Sequence, residues 1–266
     1  MPEYRTSGGL MFYGERGEGP EDPVVLLHAF PLNRKMWAPQ VEDLAGTRRV
    51  ITPDYPGFGS SPRPCAQPDV RYYAEQVQEL LDRLALESVV LGGLSMGGYV
   101  AFACLTLFPE RISALVLANT RPDPDSEDVK EMRRETARRV AEEGVEVLPK
   151  LQMERLLAPG TLENEEEGVV ETVRSMILES SPDGVVAALG AMRERPDSTN
   201  LLSEINVPTL VLGGAEDALS TPEVMGEMAG KIPNSRHLTL EGAGHLSNLE
   251  APKEFNAALK GFLDEA

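Results

Sequence analysis

Apolar residues along this chain gather in short uninterrupted runs: PVVLLHAF (23–30), RRVITPDY (48–55), SVVLGGLS (88–95), ISALVLAN (112–119), VPTLVLGG (207–214) and RHLTLEGA (236–243). Continuous rather than alternating apolarity marks strands covered on both faces, as in a parallel sheet sandwiched by helices. The segments on either side of Gly8-Gly9 fit an antiparallel hairpin ahead of them. Between the runs the period changes. VRYYAEQVQELLDRLAL (70–86) sets apolar residues at 73, 77, 80, 81 and 84, a helix stripe. GYVAFACLTLFPE (98–110) reads as a helix stopped by Pro109 and too short to span a bilayer. Strands alternating with helices predict a doubly wound, mostly parallel α/β sheet.

One stretch breaks that rhythm. From Arg121 to Asn200 no strand pattern recurs and helical patterns dominate. The run 125–144 opens on a cap at Asp125 or Ser126 and stops at Gly144, and Ser181-Pro182 starts a helix over 182–194. An all-helical insertion of this size between two sheet strands predicts a cap over residues 121–200 on a core built from 1–120 and 201–266. Within it Arg133, Arg134, Arg138 and Arg139 alternate with glutamates at helical spacing, which predicts a solvated, ion-paired face. Val169, Val173, Met176 and Ile177 form a stripe that should face the core or the pocket, giving a small, enclosed, apolar acyl site.

Composition narrows the function classes. The 266 residues, 41% hydrophobic and 26% charged, are ordinary for one globular unit, but the net charge of −18 opposes nucleic-acid phosphates and anionic membrane surfaces alike. The N-terminus lacks a basic segment followed by an apolar run, so no secretory signal is read. Cys65 and Cys104 are too few for a disulfide framework and lack metal-ligand spacing. These features place the expected site of action in the cytoplasm, with no nucleic-acid or membrane partner. Oligomeric state leaves no pattern in the sequence.

Residues 89–108 carry no charge over twenty positions, yet Gly92, Gly93, Gly97 and Gly98 crowd around Ser95. A strand, a tight turn and a helix in succession explain them better than a membrane span. Gly93-Leu94-Ser95-Met96-Gly97 fits G-x-S-x-G, in which a serine on a strained strand-to-helix turn presents its hydroxyl above the sheet. Such a match arises by chance in about one chain of this kind in ten, so its weight comes from closing a buried strand and opening a helix. A serine nucleophile needs a base, and only three histidines are available. His245, in the glycine-rich loop EGAGHLSNLE after the last strand, fits. His237 begins its strand and reads as structural, while His28 is expected to order the neighbouring loop rather than take a proton. The acid should fall between serine and histidine, which selects Asp217, with Glu216 as fallback. Backbone N–H groups of Met96 and Phe30 are the expected oxyanion donors, with Gly93 and Gly97 supporting the turn. PDYPGFGSSP (53–62) lacks the lysine of a phosphate loop and reads as a tight turn bordering the site.

Taken together, His28-Ala29-Phe30, Asp54-x-x-Gly57-x-Gly59-x-Ser61, Gly93-x-Ser95-x-Gly97, Asp217 and Gly244-His245 resemble the α/β-hydrolase superfamily over nearly the whole chain. Within it, GGLSMGGYVAFA is similar to small bacterial carboxylesterases, thermophilic ones included, and next to 3-oxoadipate enol-lactonases. Ala29 departs from the usual glycine beside the histidine and adds a methyl group near the oxyanion loop. The resemblance implies an α/β-hydrolase fold and a cofactor-free, metal-free serine hydrolase of small carboxylic esters. Lactone opening is the alternative within that class. A non-catalytic ligand-binding module on the same fold is the alternative outside it.

Overall fold

A computed structural model describes residues 3–6, 9–64, 68–164 and 168–265. Eight strands form one sheet: β1 (Glu3–Thr6), β2 (Gly9–Arg16), β3 (Val24–Leu27), β4 (Val50–Pro53), β5 (Val89–Leu94), β6 (Ile112–Ala118), β7 (Thr209–Gly214) and β8 (Ser235–Leu240). Their order is β1-β2-β4-β3-β5-β6-β7-β8. β1 and β2 pair antiparallel, as do β2 and β4, and every later pairing is parallel. The hairpin expected around Gly8-Gly9 is therefore the β1–β2 pair, although Gly8 itself lies outside the described residues, as does Cys65. All residues of β3, β4, β5 and β7 are buried, the physical counterpart of their unbroken apolar runs.

Eleven α-helices are present among the described residues: α1 (Ala38–Leu44), α2 (Val70–Arg83), α3 (Met96–Leu107), α4 (Glu127–Glu143), α5 (Leu148–Leu156), α6 (Pro159–Glu163), α7 (Val169–Leu178), α8 (Pro182–Arg193), α9 (Pro222–Lys231), α10 (Ser247–Glu250) and α11 (Pro252–Leu263). In α2, Tyr73, Val77, Leu80 and Leu81 are buried along the stripe read from sequence, and Asp69 caps it by accepting from the Tyr72 N–H at 2.7 Å. Helix α3 packs on β3, β5 and α2, with nine of its twelve residues buried, and Pro109 follows its end. None of these helices is long and apolar enough to cross a membrane.

Between β6 and β7 the described residues form helices and loops but no strand, with α4 starting on the Ser126 cap and α8 on Ser181. Helices α4 and α8 pack on each other, and α5 packs on α7. The apolar stripe of α7 turns inward: Val173, Met176 and Ile177 are buried and Val169 is partly covered.

Candidate active site

Ser95 sits between β5 and α3 at φ 56° and ψ −114°, a left-handed conformation that costs a non-glycine residue about 1–3 kcal/mol. Hydrogen bonds hold the strain in place. The Ser95 N–H donates to the Ala118 carbonyl at 3.0 Å, and its own carbonyl accepts from Gly98 N at 2.9 Å and Thr120 Oγ1 at 2.9 Å. The flanking glycines answer a close approach. A Cβ on Gly93 would overlap the Gly97 carbonyl, and one on Gly97 would overlap the Leu27 carbonyl of β3. The sharp turn lifts the hydroxyl to the carboxyl ends of the strands and points the N-terminus of α3 at the same place.

His245 and Asp217 arrive from the loops after β8 and β7. His245 Nδ1 donates to Asp217 Oδ2 at 2.8 Å, and both residues are buried. Asp217 is held on every side: Oδ2 also accepts from Asn119 Nδ2 at 2.9 Å, and Oδ1 accepts from the N–H groups of Leu219 at 2.8 Å and Ser220 at 3.0 Å. Burial alone would raise its pKa, but His245, Asn119 and the Ser220 N–H outweigh it and hold the carboxyl below the usual aspartate value. Asp217 thus stays an anion that fixes the proton on Nδ1, leaving His245 Nε2 an acceptor; that buried atom has no hydrogen-bond partner among the described residues. Ser95 and His245 line one cavity of about 510 Å³. Glu216, the fallback acid, is exposed and makes no side-chain hydrogen bond among the described residues.

Phe30 also lines this cavity, and Met96 directly follows Ser95. Neither backbone N–H is engaged by a hydrogen bond among the described residues, which leaves both available to a developing oxyanion. Below them His28 is fully buried against Tyr55 and Phe58, accepts from the Tyr55 N–H at 3.0 Å through Nε2, and donates from Nδ1 to the Ala29 carbonyl at 2.9 Å. Burial lowers its pKa to about 4, with Arg34 adding to that and Asp54 and the Ala29 carbonyl opposing it. His28 is thus a neutral tie between two loops. His237 stands on β8, away from the cavity-lining residues. The turn 54–61 closes on Asp54, which accepts from the N–H groups of Arg34 at 2.8 Å and Ser60 at 3.0 Å and ion-pairs with the Arg34 guanidinium.

Several participants escape a linear reading. Asn119, at φ 43°, donates to Asp217 and also to the Gly244 carbonyl at 3.2 Å, while its Oδ1 accepts from Ser247 Oγ at 2.5 Å. Glu250 spans the histidine loop and the cap. Oε1 accepts from Gly244 N at 3.0 Å and Leu246 N at 3.2 Å, and Oε2 from Ala158 N at 2.7 Å and Thr161 Oγ1 at 2.8 Å. The positive φ of Asn119 leaves no trace in sequence, and nothing in the local pattern singles out Glu250. Two expectations need correction. Arg133 does not join the solvated face: Arg134, Arg138 and Arg139 pair with neighbouring glutamates, but Arg133 turns inward to the buried Asp125 at 2.5 Å. The α7 stripe takes the first of its two alternatives, the core, and the cavity is not the purely apolar acyl site expected. Among the described residues α7 contributes nothing to its wall, and arginines stand beside Leu156, Leu189 and Met192.

With this arrangement in view, comparison with known proteins is direct. Residues 22–252 match the family described as alpha/beta hydrolase fold. The chain belongs to that family. It is 40% identical to a solved thermophilic esterase from Thermogutta terrifontis, determined with malate bound, at a TM-score of 0.95 and covering 100% of this chain and 99% of that one. An enol-lactonase from Burkholderia xenovorans LB400 is 28% identical, with a TM-score of 0.91 over 99% and 100% of the two chains. The 3-oxoadipate enol-lactonase 2 of Acinetobacter baylyi is 28% identical over 94% of this chain and 92% of its own length. This α/β hydrolase therefore sits among esterases and lactonases.

Proposed function

We propose that this α/β hydrolase cleaves small carboxylic esters of short-to-medium acyl chain through a covalent acyl-enzyme. The observation that carries the reading is that His245, hydrogen-bonded to Asp217, lines one cavity with a strained Ser95. In that scheme His245 Nε2 takes the Ser95 hydroxyl proton as Oγ bonds to the ester carbonyl carbon, and the carbonyl electron pair moves onto oxygen. Met96 and Phe30 N–H groups hold that oxyanion, and Asp217 stabilises the charged imidazole. Collapse expels the alcohol, which leaves with the proton from Nε2. Water, deprotonated by the same nitrogen, then adds to the acyl carbon and releases the acid and Ser95.

A fluorophosphonate probe tests the reading. Stoichiometric labelling that vanishes in Ser95→Ala, together with turnover of p-nitrophenyl butyrate, supports it; a folded protein that neither labels nor turns over esters or lactones is a binding module instead. A second reading, opening of a lactone, is supported by the likeness to the two enol-lactonases. A large preference for an enol-lactone over open-chain esters would favour it.

A further inference from the structure

The catalytic cavity carries more positive charge than its own carboxylates neutralise. Arg121, Arg133, Arg155 and Arg195 line it, against Asp123 and Asp125. Arg121 is fully matched, its Nε and Nη2 reaching the two oxygens of Asp123 at 2.8 and 2.5 Å. Arg133 and Arg195 share the single buried carboxylate of Asp125. Arg195 is further satisfied by the carbonyls of Met192 at 2.9 Å and Asp123 at 2.7 Å, and lies 4.2 Å over the Tyr99 ring. This is an excess of cation inside a protein of net charge −18, in a cleft whose low-dielectric walls concentrate the field.

Arg155 stands apart from the other three. It is half-buried on α5, and among the described residues its one hydrogen bond runs from Nη1 to the thioether of Met132 at 2.7 Å, with no carboxylate in ion-pair range. A thioether is a weak acceptor, and a guanidinium carries five donors in a fork shaped for a carboxylate. Burial first, and the neighbouring positive charge of Arg133 second, hold its pKa below the usual arginine value, as expected of a cation with no ion-pair partner among the described residues. Its position is tied to the chemistry. The next residue, Leu156, ends α5 and its carbonyl accepts from the N–H of Leu246, the neighbour of His245, at 3.1 Å. The arginine and the catalytic base are therefore set in one register across the cavity.

We infer that this cavity takes esters or lactones that bear a carboxylate remote from the scissile bond, with the Arg155 guanidinium as its anchor. The inference rests on the hydrolase reading above and names its substrate class. A carboxylate there would supply the bidentate partner that Asp123 gives Arg121, while the carbonyl to be attacked lies over Ser95. Asp125, shared between two arginines and itself held below the ordinary aspartate pKa by them against the opposing effect of burial, is committed elsewhere and does not compete.

The experiment compares a matched pair on the purified full chain: monomethyl glutarate, and the isosteric methyl ester whose far carboxylate is replaced by a primary amide. Wild type should favour the acid by about tenfold or more in kcat/KM, expressed mainly in KM, the effect of one charge-assisted bidentate contact. In Arg155→Gln that ratio should fall to near one, and Arg155→Lys should restore part of it. A ratio near one in wild type, or an undiminished ratio in Arg155→Gln, overturns the inference. Should Arg155→Gln not fold, calorimetric binding of glutarate against its monoamide to the Ser95→Ala protein decides, equal affinities overturning the anchor and preference for the diacid supporting it. Fluorophosphonate labelling and p-nitrophenyl butyrate turnover report on the parent reading separately. If they succeed while the ratio is one, only the anchor falls.

Discussion

Two glycines on one helix should respond oppositely to the same substitution. In α8, Gly184 faces the core and Gly190 does not. A methyl group on Gly190 would meet nothing within 4 Å, so Gly190→Ala simply trades a flexible helix residue for the best helix former and should stabilise by about 0.5–1 kcal/mol. A Cβ on Gly184 would lie 2.5 Å from both the Cα and the carbonyl oxygen of Gly57, on the turn that follows β4. Ordinary contact begins near 3.5 Å, so the helix or the turn must retreat by about 1 Å. Retreat is costly here because the Gly57 carbonyl accepts from the Ser181 N–H at 3.0 Å and from Ser181 Oγ at 3.1 Å. Overpacking of this kind costs about 1–3 kcal/mol, which exceeds the helix gain. Gly184→Ala should therefore lower Tm by about 1–6 °C, while Gly190→Ala raises it by about 1–4 °C. Thermal unfolding followed by circular dichroism reads both. A Gly184→Ala Tm equal to or above that of Gly190→Ala would refute the claim that backbone-to-backbone contact joins cap to core at this point.

Ser95→Ala and His245→Ala should each lower kcat by several orders of magnitude and the double variant by little more, because the pair acts as one unit; additive losses in a folded double variant would break the assignment. Asp217→Asn should lose less than either but far more than Glu216→Gln, and the reverse order would name Glu216 as the acid. His28 makes folding sensitive to acid: with a folded pKa of about 4 against about 6.5 unfolded, the unfolded chain binds its proton first as pH falls. That contribution is whole above about pH 6.5 and is lost as pH drops toward about 4, up to about 3 kcal/mol, so His28→Gln should flatten denaturant-measured stability across that window, and identical slopes would contradict it. Glu250→Gln leaves one carbonyl oxygen for four donors and should lower kcat about tenfold as His245 loosens, with a loss of stability of about 1–3 kcal/mol; unchanged kcat would make Glu250 a structural tie only.

Much of this was legible along the chain because it is written in local pattern. The six apolar runs became β3 to β8 within a few residues at each end, since burial on both faces is a property of consecutive side chains. Ser95, Asp217 and His245 could be picked out as candidates because each chemistry has one or two eligible side chains at the end of a strand, and the structure brings Ser95 and the Asp217–His245 pair together. The arginine helix shows where such reasoning stops. Glu131 stands at helical spacing from Arg134, whereas Val129, Lys130, Thr136 and Ala137 surround Arg133, so the pattern takes Arg133 off the glutamate-paired face without naming its partner. Only the fold decides, through Asp125 eight residues upstream of Arg133 and seventy residues from Arg195. Asn119 and Asp217 are likewise ninety-eight residues apart, and no periodicity reports a contact of that kind.

The same long-range contacts change what the cap is physically. Its attachments do not fall on inert parts of the core. Ser180 Oγ donates to the Pro31 carbonyl at 2.9 Å, and Glu179 accepts from Asn33 at 3.0 Å, both on the loop that carries Phe30. Ser181 and Gly184 sit on Gly57, in the turn tied to His28 through the Tyr55 N–H. Ala158 and Thr161 meet Glu250, which also grips both neighbours of His245. Three loops, those that carry Phe30, the Tyr55 contact of His28, and His245, are thus each fastened to a different cap helix or its end. A packed interior transmits a displacement rather than absorbing it. Substitutions in the cap should therefore also displace Phe30 and His245, and under the proposed mechanism they should change KM and kcat together through these backbone contacts rather than KM alone.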